Sequence, residues 1–264
     1  MLIIGERINS SRKTVREAVA TRDRKAVQEE AKQQTAAGAD YLDVNAGTFA
    51  GEEAERLKWL IEVVQEVSDF PLCVDSPDPE VIKAALPLVK KRPMINSVTL
   101  ERARIEGILP LVKEYGAKVI GLCQSEDAMA DRADAKVEMA SRLVDEFNRW
   151  DIPLDDCYID PLVYPLGTNH SSAWETIEAI TRIARELPSA HTICGLTNVS
   201  YGLPNRGLVN RAFLIACVTR GLDSAILDPT DTQLWSALKA ALLVAGRDEF
   251  CTEYLDAYRA GRLG

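Results

Sequence analysis

Two histidines in 264 residues, six cysteines without a single Cys-x-x-Cys pair and no block of basic residues close off several classes of function. A zinc site wants several Cys or His ligands at short spacing. The nearest approach to a ligand pair is His191 with Cys194, and a separation of three along a strand sends the two side chains to opposite faces; no bound metal is expected. No Ser–His or Cys–His pairing for nucleophilic catalysis stands out. A duplex-binding surface shows itself as clustered Lys and Arg, whereas here 31 Lys and Arg face 40 Asp and Glu for a net charge of −9. Nucleic acid is therefore not an expected partner, although a few local cations would suffice for a small anionic tail. No apolar run approaches the roughly 18 residues that suggest a membrane span. The first residues, Met-Leu-Ile-Ile-Gly-Glu, read as a short strand that meets charge before any secretory h-region forms, so the expected compartment is the cytoplasm. The cysteines, at 73, 123, 157, 194, 217 and 251, fall mostly in apolar segments and read as small buried hydrophobes rather than a disulfide framework. No linker or low-complexity stretch divides the chain, and residues 1–264 read as one domain.

What is present is alternation. Short apolar runs occur at 2–5, 41–45, 72–75, 94–98, 118–122, 157–160, 192–196 and 224–227. Amphipathic helical patterns lie between them, at 15–37, 52–67, 79–89, 105–115, 135–150, 173–186, 210–220 and 232–245, with one more short helix in 248–264. Strand–helix repetition of this kind implies a parallel sheet covered by helices, and about eight repeats favour a closed (β/α)8 TIM barrel over an open sheet. Punctuation agrees with the division. Gly38, Gly116 and Gly221 each stand where a helix needs a left-handed residue to end, and Pro79 opens a helix, where its missing N–H costs nothing.

The functional signal sits at the C-terminal ends of the apolar runs. Glu6, Asn45, Asp75, Asn96, Asp160, Asn198 and Asp228 each follow or end a run. One Asp or Asn at such a place is an ordinary turn residue. Seven in the same topological position are different, because in a β/α barrel those ends converge on one mouth. A carboxylate accepts two donors at once, while an amide both gives and accepts. Together they complement a pterin-like heterocycle, which presents an amide N–H and an exocyclic amine beside ring nitrogens and a carbonyl.

Five segments carry a resemblance: Met-Leu-Ile-Ile-Gly-Glu-Arg-Ile-Asn at 1–9, Leu-Cys-Val-Asp-Ser at 72–76, Met-Ile-Asn-Ser at 94–97, Tyr-Ile-Asp-Pro-Leu at 158–162 and Gly-Leu-Thr-Asn-Val-Ser at 195–200, with Asn-Arg following at 205–206. In this order, over nearly the whole chain, they resemble the pterin-binding methyltransferases that act between methyltetrahydrofolate and corrinoid proteins in anaerobic one-carbon metabolism. That family includes the methyltetrahydrofolate:corrinoid/iron–sulfur protein methyltransferase and the folate module of cobalamin-dependent methionine synthase. The resemblance implies a pterin-binding type of barrel, a homodimer, tetrahydrofolate or 5-methyltetrahydrofolate as substrate, and a corrinoid carried by a partner protein. It assigns Asp75, Asn96 and Asp160 to the pterin ring, Asn198 to N5, the nitrogen that carries the methyl group, and Arg206 to a place near the folate. Tyr201 departs from the acetogen enzymes, which carry Gln there; an aromatic at that position forms a wall of the pocket instead.

In that chemistry cobalt(I) is the nucleophile, so the protein supplies none. Its task is to hold the pterin and favour positive charge on N5 as the C–N bond breaks, which hydrogen bonds that strengthen in the transition state accomplish. Three other readings stay open on sequence alone. A dihydropteroate synthase should carry a Lys late in the barrel and an Arg-x-His at the last strand, where this chain has Gly-Leu-Thr-Asn at 195–198 and Ala-Ile-Leu-Asp-Pro-Thr-Asp at 225–231. A zinc-dependent thiol methyltransferase lacks ligands here. A non-catalytic folate-binding module would bind without transferring; the chain has no Asp-x-His-x-x-Gly motif for a corrinoid of its own, so transfer requires a partner.

Overall fold

The computed structural model describes residues 1–126 and 130–264. In chain order the elements are β1 (Leu2–Asn9), α1 (Lys13–Thr21), α2 (Arg24–Ala37), β2 (Tyr41–Asn45), α3 (Glu53–Gln65), β3 (Leu72–Asp75), α4 (Pro79–Ala85), β4 (Met94–Val98), α5 (Arg102–Tyr115) and β5 (Lys118–Leu122). They continue with α6 (Ala133–Arg149), β6 (Cys157–Asp160), α7 (Ser172–Glu186), β7 (His191–Thr192), α8 (Arg206–Thr219), β8 (Ser224–Leu227), α9 (Thr232–Val244) and α10 (Thr252–Arg259). All pairings are parallel and neighbours follow chain order, with β8 returning to β1. A bridge between Gly195 and Ile226 closes the ring between the β7 segment and β8. This is the (β/α)8 barrel that the alternation predicts, and none of the described helices is long and apolar enough to cross a membrane.

Local chemistry explains where elements start and stop. Gly38 ends α2 at φ 101° and Gly221 follows α8 at φ 110°. Neither could carry a side chain, since a Cβ would lie 2.9 Å from the Trp235 ring at the first and 2.8 Å from the Ala184 methyl at the second. The expected helix over 15–37 is two helices. Arg22 turns left-handed at φ 58°, and the Asp23 carboxylate then caps α2 by accepting the Ala26 N–H, which is the N-cap role that Asp favours. The seventh strand is shorter than the run at 192–196 suggests: it stops at Thr192, and Leu196–Ser200 wind into a tight 3-10 turn. Helix α8 begins at Arg206 rather than 210, after Asn205 at φ 49°. Five of the cysteines are buried, and Cys251 is exposed.

The barrel interior is built by period two. Ile4, Tyr41, Cys73, Met94, Ile120, Tyr158 and Ile193 form one buried cluster, with Ile226 packed against it, so seven strands and the residue just after β7 contribute. Two residues further along their strands, the same inward parity brings Glu6, Asp43, Asp75, Asn96, Leu122, Asp160, Gly195 and Asp228 to the C-terminal mouth. Two residues back, at the opposite end, Lys118 donates to the Tyr158 hydroxyl (2.7 Å) and His191 stacks on the Tyr158 ring. The outward faces of most of the strands pack against helices in the larger apolar core.

Candidate functional site

A cavity of about 820 Å³ opens at the mouth, and all six residues singled out from the sequence line it: Asp75, Asn96, Asp160, Asn198, Tyr201 and Arg206. Of the seven polar strand ends, six reach it. Asn45 does not; its amide donates to Asp75 Oδ2 (3.0 Å), while its oxygen accepts from the Ser10 hydroxyl (3.1 Å) and the Gly47 N–H (2.9 Å). Asn45 therefore aims Asp75 instead of touching the cavity.

The inner part of the cavity is an unusually acceptor-rich surface. Asp160 is 5% exposed and accepts the Leu162 N–H at 2.7 Å. Burial pushes its carboxyl up to about 6, against the opposing pull of the Leu162 N–H, the Lys136 ammonium and the Gly195 N–H. Burial also pushes Asp75 up to about 6, although the Asn45 amide draws it down. Behind Asp75 stands Arg104, a buried guanidinium on α5 that donates to the Ser97 carbonyl. A carboxylate raised by burial is short of donors. A planar ligand with several N–H groups supplies them.

Sequence reasoning missed Asp43. It is 2% exposed, lines the cavity, and its Oδ1 has no hydrogen-bond partner. Burial, reinforced by the charge of Asp75, raises its carboxyl well above the usual range. A charged residue in the middle of the run Tyr-Leu-Asp-Val-Asn is the signal that could have found it, because its parity matches Tyr41 and Asn45 rather than the outward Leu42 and Val44. Attention to strand ends alone passed over it.

At the rim, Glu6 accepts the Thr197 hydroxyl at 3.0 Å. Burial pushes its carboxyl up to about 7, the Thr197 hydrogen bond opposes this and Asp228 adds to it. Asp228 is tied to the Arg7 guanidinium (2.8 Å) and to the Thr230 hydroxyl (2.6 Å). Asn198 lies in the 3-10 turn, exposed to the cavity, with no side-chain hydrogen bond to any described residue. A Cβ on residue 195 would stand 3.0 Å from Asn198 Nδ2, so the glycine leaves that amide its present room. Arg206 clamps the turn from the start of α8, donating to the Ser200 hydroxyl (3.0 Å) and the Thr197 carbonyl (2.7 Å). Its guanidinium also lies over the Tyr201 ring, which is 68% exposed. His191 sits at the far end of the barrel, held by Asp223 (2.7 Å), and Cys194 packs outward in the core beside Cys217.

Residues 5–228 match the family of pterin binding enzymes. The chain belongs to this family. Over its full length it is 35% identical to the methylcorrinoid:tetrahydrofolate methyltransferase of Eubacterium limosum, covering 98% of that protein. It is 34% identical to the methionine synthase of Mycobacterium tuberculosis over 86% of this chain and 20% of that much longer protein. Among solved structures it superposes on the dihydropteroate synthase of Yersinia pestis with a TM-score of 0.68 at 15% identity, over 93% of both chains. The enzyme from Xanthomonas albilineans in complex with 7,8-dihydropteroate gives 0.64 at 20% identity, over 94% of this chain and 93% of that one. At such identities the likeness shows the fold alone. In this pterin-binding enzyme the β7 and β8 ends present Thr197, Asn198 and Asp228 to the cavity, where a dihydropteroate synthase is expected to present Lys and Arg-x-His.

Proposed function

We propose that this pterin-binding enzyme transfers a methyl group between N5 of tetrahydrofolate and the cobalt of a corrinoid carried by a separate protein. The observation that carries the reading is the pairing of an acceptor-rich inner surface with an unpartnered amide, Asn198, on the rim above it. Asp75, Asn96 and Asp160 take the pterin ring, and Asp43 offers a further acceptor. Arg206 and Tyr201 lie on the side from which the rest of the folate leaves. The Eubacterium limosum relative is named a methylcorrinoid:tetrahydrofolate methyltransferase, which supports transfer toward tetrahydrofolate for this chain.

In that direction the N5 lone pair forms the new N–CH3 bond, the Co–CH3 bond breaks with its electron pair staying on cobalt, and N5 sheds a proton. In reverse N5 must gain one. No nucleophile is asked of the protein. Asn198 stabilises the charge on N5 by reorienting its amide. Glu6, with a carboxyl at about 7, takes up or returns the proton through the Thr197 side of the turn, since a group titrating near the working pH serves both directions. The same reading includes a single domain acting as a homodimer in the cytoplasm, with no metal bound by the chain itself.

The test is single-turnover methyl exchange followed by cobalt absorbance, with a corrinoid protein in excess. Wild type should exchange methyl with tetrahydrofolate. Asn198→Ala should lose roughly 10²–10³ in the transfer rate, the cost of removing one donor aimed at developing charge, with a much smaller loss of folate affinity. Equal losses in both, or an unchanged rate, would remove Asn198 from the mechanism. No exchange with any corrinoid protein alongside intact folate binding would favour a binding module.

A further inference from the structure

Lys136 is a charged side chain with no solvent exposure at all. It stands in the first turns of α6, facing inward, and its ammonium donates to the carbonyls of Pro161 (2.6 Å) and Leu162. Those two carbonyls belong to the turn directly after Asp160. Leu162 occupies the left-handed region at φ 56°, which a branched residue adopts only when its surroundings hold it there. Its N–H returns to Asp160 Oδ1 and its carbonyl also accepts the Thr176 hydroxyl (3.3 Å). One cation thus grips the turn from behind, while the carboxylate at its start faces the cavity.

Two neutral carbonyls do not require a full charge; an amide would serve them. A buried ammonium calls for a counter-charge. The acidic groups around Lys136 are Asp160, Asp131, Glu175 and the Cys123 thiol. Asp131 is exposed, Glu175 is half-buried and spends Oε2 on the Ala133 N–H (2.7 Å), and burial keeps Cys123 protonated. Asp160 is the one buried carboxylate among them.

We infer that Lys136 is a positioning residue for the pterin site: it supplies the internal counter-charge that keeps Asp160 ionised, and it pins the Asp160–Leu162 turn so that the carboxylate points at the ring. The inference rests on the pterin-binding reading above. The groups that bear on Asp160 are the Leu162 N–H, Lys136 from α6, Cys123 after β5, Cys194 beyond β7, Tyr164 on its own loop and the Gly195 N–H. Of these, Lys136 alone is a cation.

The experiment is binding of 5-methyltetrahydrofolate from pH 5 to 9 to wild type, Lys136→Met, Lys136→Arg and Asp160→Asn, with thermal melts to establish folding. Asp75 titrates in the same window, so the variants are compared with wild type rather than read alone. Lys136→Met should move the midpoint of the affinity loss upward by about one pH unit or more, with affinity largely recovered at pH 9. Lys136→Arg should keep the wild-type midpoint. In an Asp160→Asn background, Lys136→Met should add less than about a threefold loss, because the two act through one charge. A loss by the same factor at every pH, or effects that multiply, would overturn the inference. Should Lys136→Met not fold, Asp160→Asn decides: without its counter-charge the buried ammonium must deprotonate more easily, changing stability between pH 8 and 10 relative to wild type, and no change there refutes the pairing. Wild type that fails to bind the folate at any pH would sink the pterin reading itself, a distinguishable result.

Discussion

Replacing Asp160 by Asn should weaken the site and make the stability of the variant rise relative to wild type as pH increases. In the unfolded chain this carboxyl titrates at its ordinary value of 3.8, whereas in the folded protein burial holds it at about 6. The folded state therefore binds the proton more tightly. Well below pH 3.8 the group is neutral in both states and contributes nothing. Well above pH 6 it is ionised in both, and the fold bears the whole cost of holding a buried charge. A rise from 3.8 to about 6 corresponds to about 3 kcal/mol. Asparagine keeps an oxygen for the Leu162 N–H but turns an NH2 toward the other acceptor-bound donors, a pH-independent cost of roughly 1–3 kcal/mol. The sign at any single pH is thus a balance of two terms. The pH dependence is not. Urea unfolding of both proteins from pH 4 to 8 should show the stability of Asp160→Asn relative to wild type rising by roughly 2–2.5 kcal/mol across the window, almost all of it between pH 4 and 7. Folate affinity at pH 8 should fall in the same variant. A stability difference that stays flat over that range would mean that the carboxyl is not raised, and the picture of a donor-starved site would fail with it.

Two further outcomes follow from the same structure. Glu6→Gln should flatten the pH dependence of single-turnover methyl transfer near pH 7 and lower the rate by about 10²-fold or more; a profile identical to wild type would show that the proton travels elsewhere. At the opposite end of the barrel, the Asp223 hydrogen bond raises the His191 pKa, with Asp155 adding to it. The associated stability is fully present below the unfolded value of 6.5 and disappears as pH rises through the higher folded value. Because the ring is about a third exposed, the contribution should be less than about 1 kcal/mol. Thermal melts of His191→Gln should lack that pH-dependent step while methyl transfer stays at the wild-type rate, and a variant that keeps the step would show that another group is responsible.

The barrel was legible from the sequence because its determinants are local. Apolar runs of four or five residues, helices closed by Gly38, Gly116 and Gly221, and polar residues at strand ends all lie within a few positions of what they control. Because strand ends in this topology share a mouth, Asp75, Asn96, Asp160 and Asn198 were expected at one cavity, whereas Tyr201 and Arg206 were pointed to by the family resemblance. Boundaries were less legible where a short-range hydrogen bond competes with periodicity, as at Asp23, or where the chain leaves the ladder for a 3-10 turn, as between Gly195 and Ser200. Tertiary structure alone decided which polar groups are buried and what each one faces. Asp43 looked like part of a strand until the inward parity of eight strands placed it under the cavity. Asn45 looked like a site residue until its amide was spent on Asp75. Lys136 and Arg104 are buried only because α6 and α5 turn them inward, behind the carboxylates of strands far off in sequence. Burial sets the charge state of a side chain, and burial depends on neighbours brought together from across the chain; periodicity can tell which way a residue points, but not how many of its hydrogen bonds are already made when it arrives.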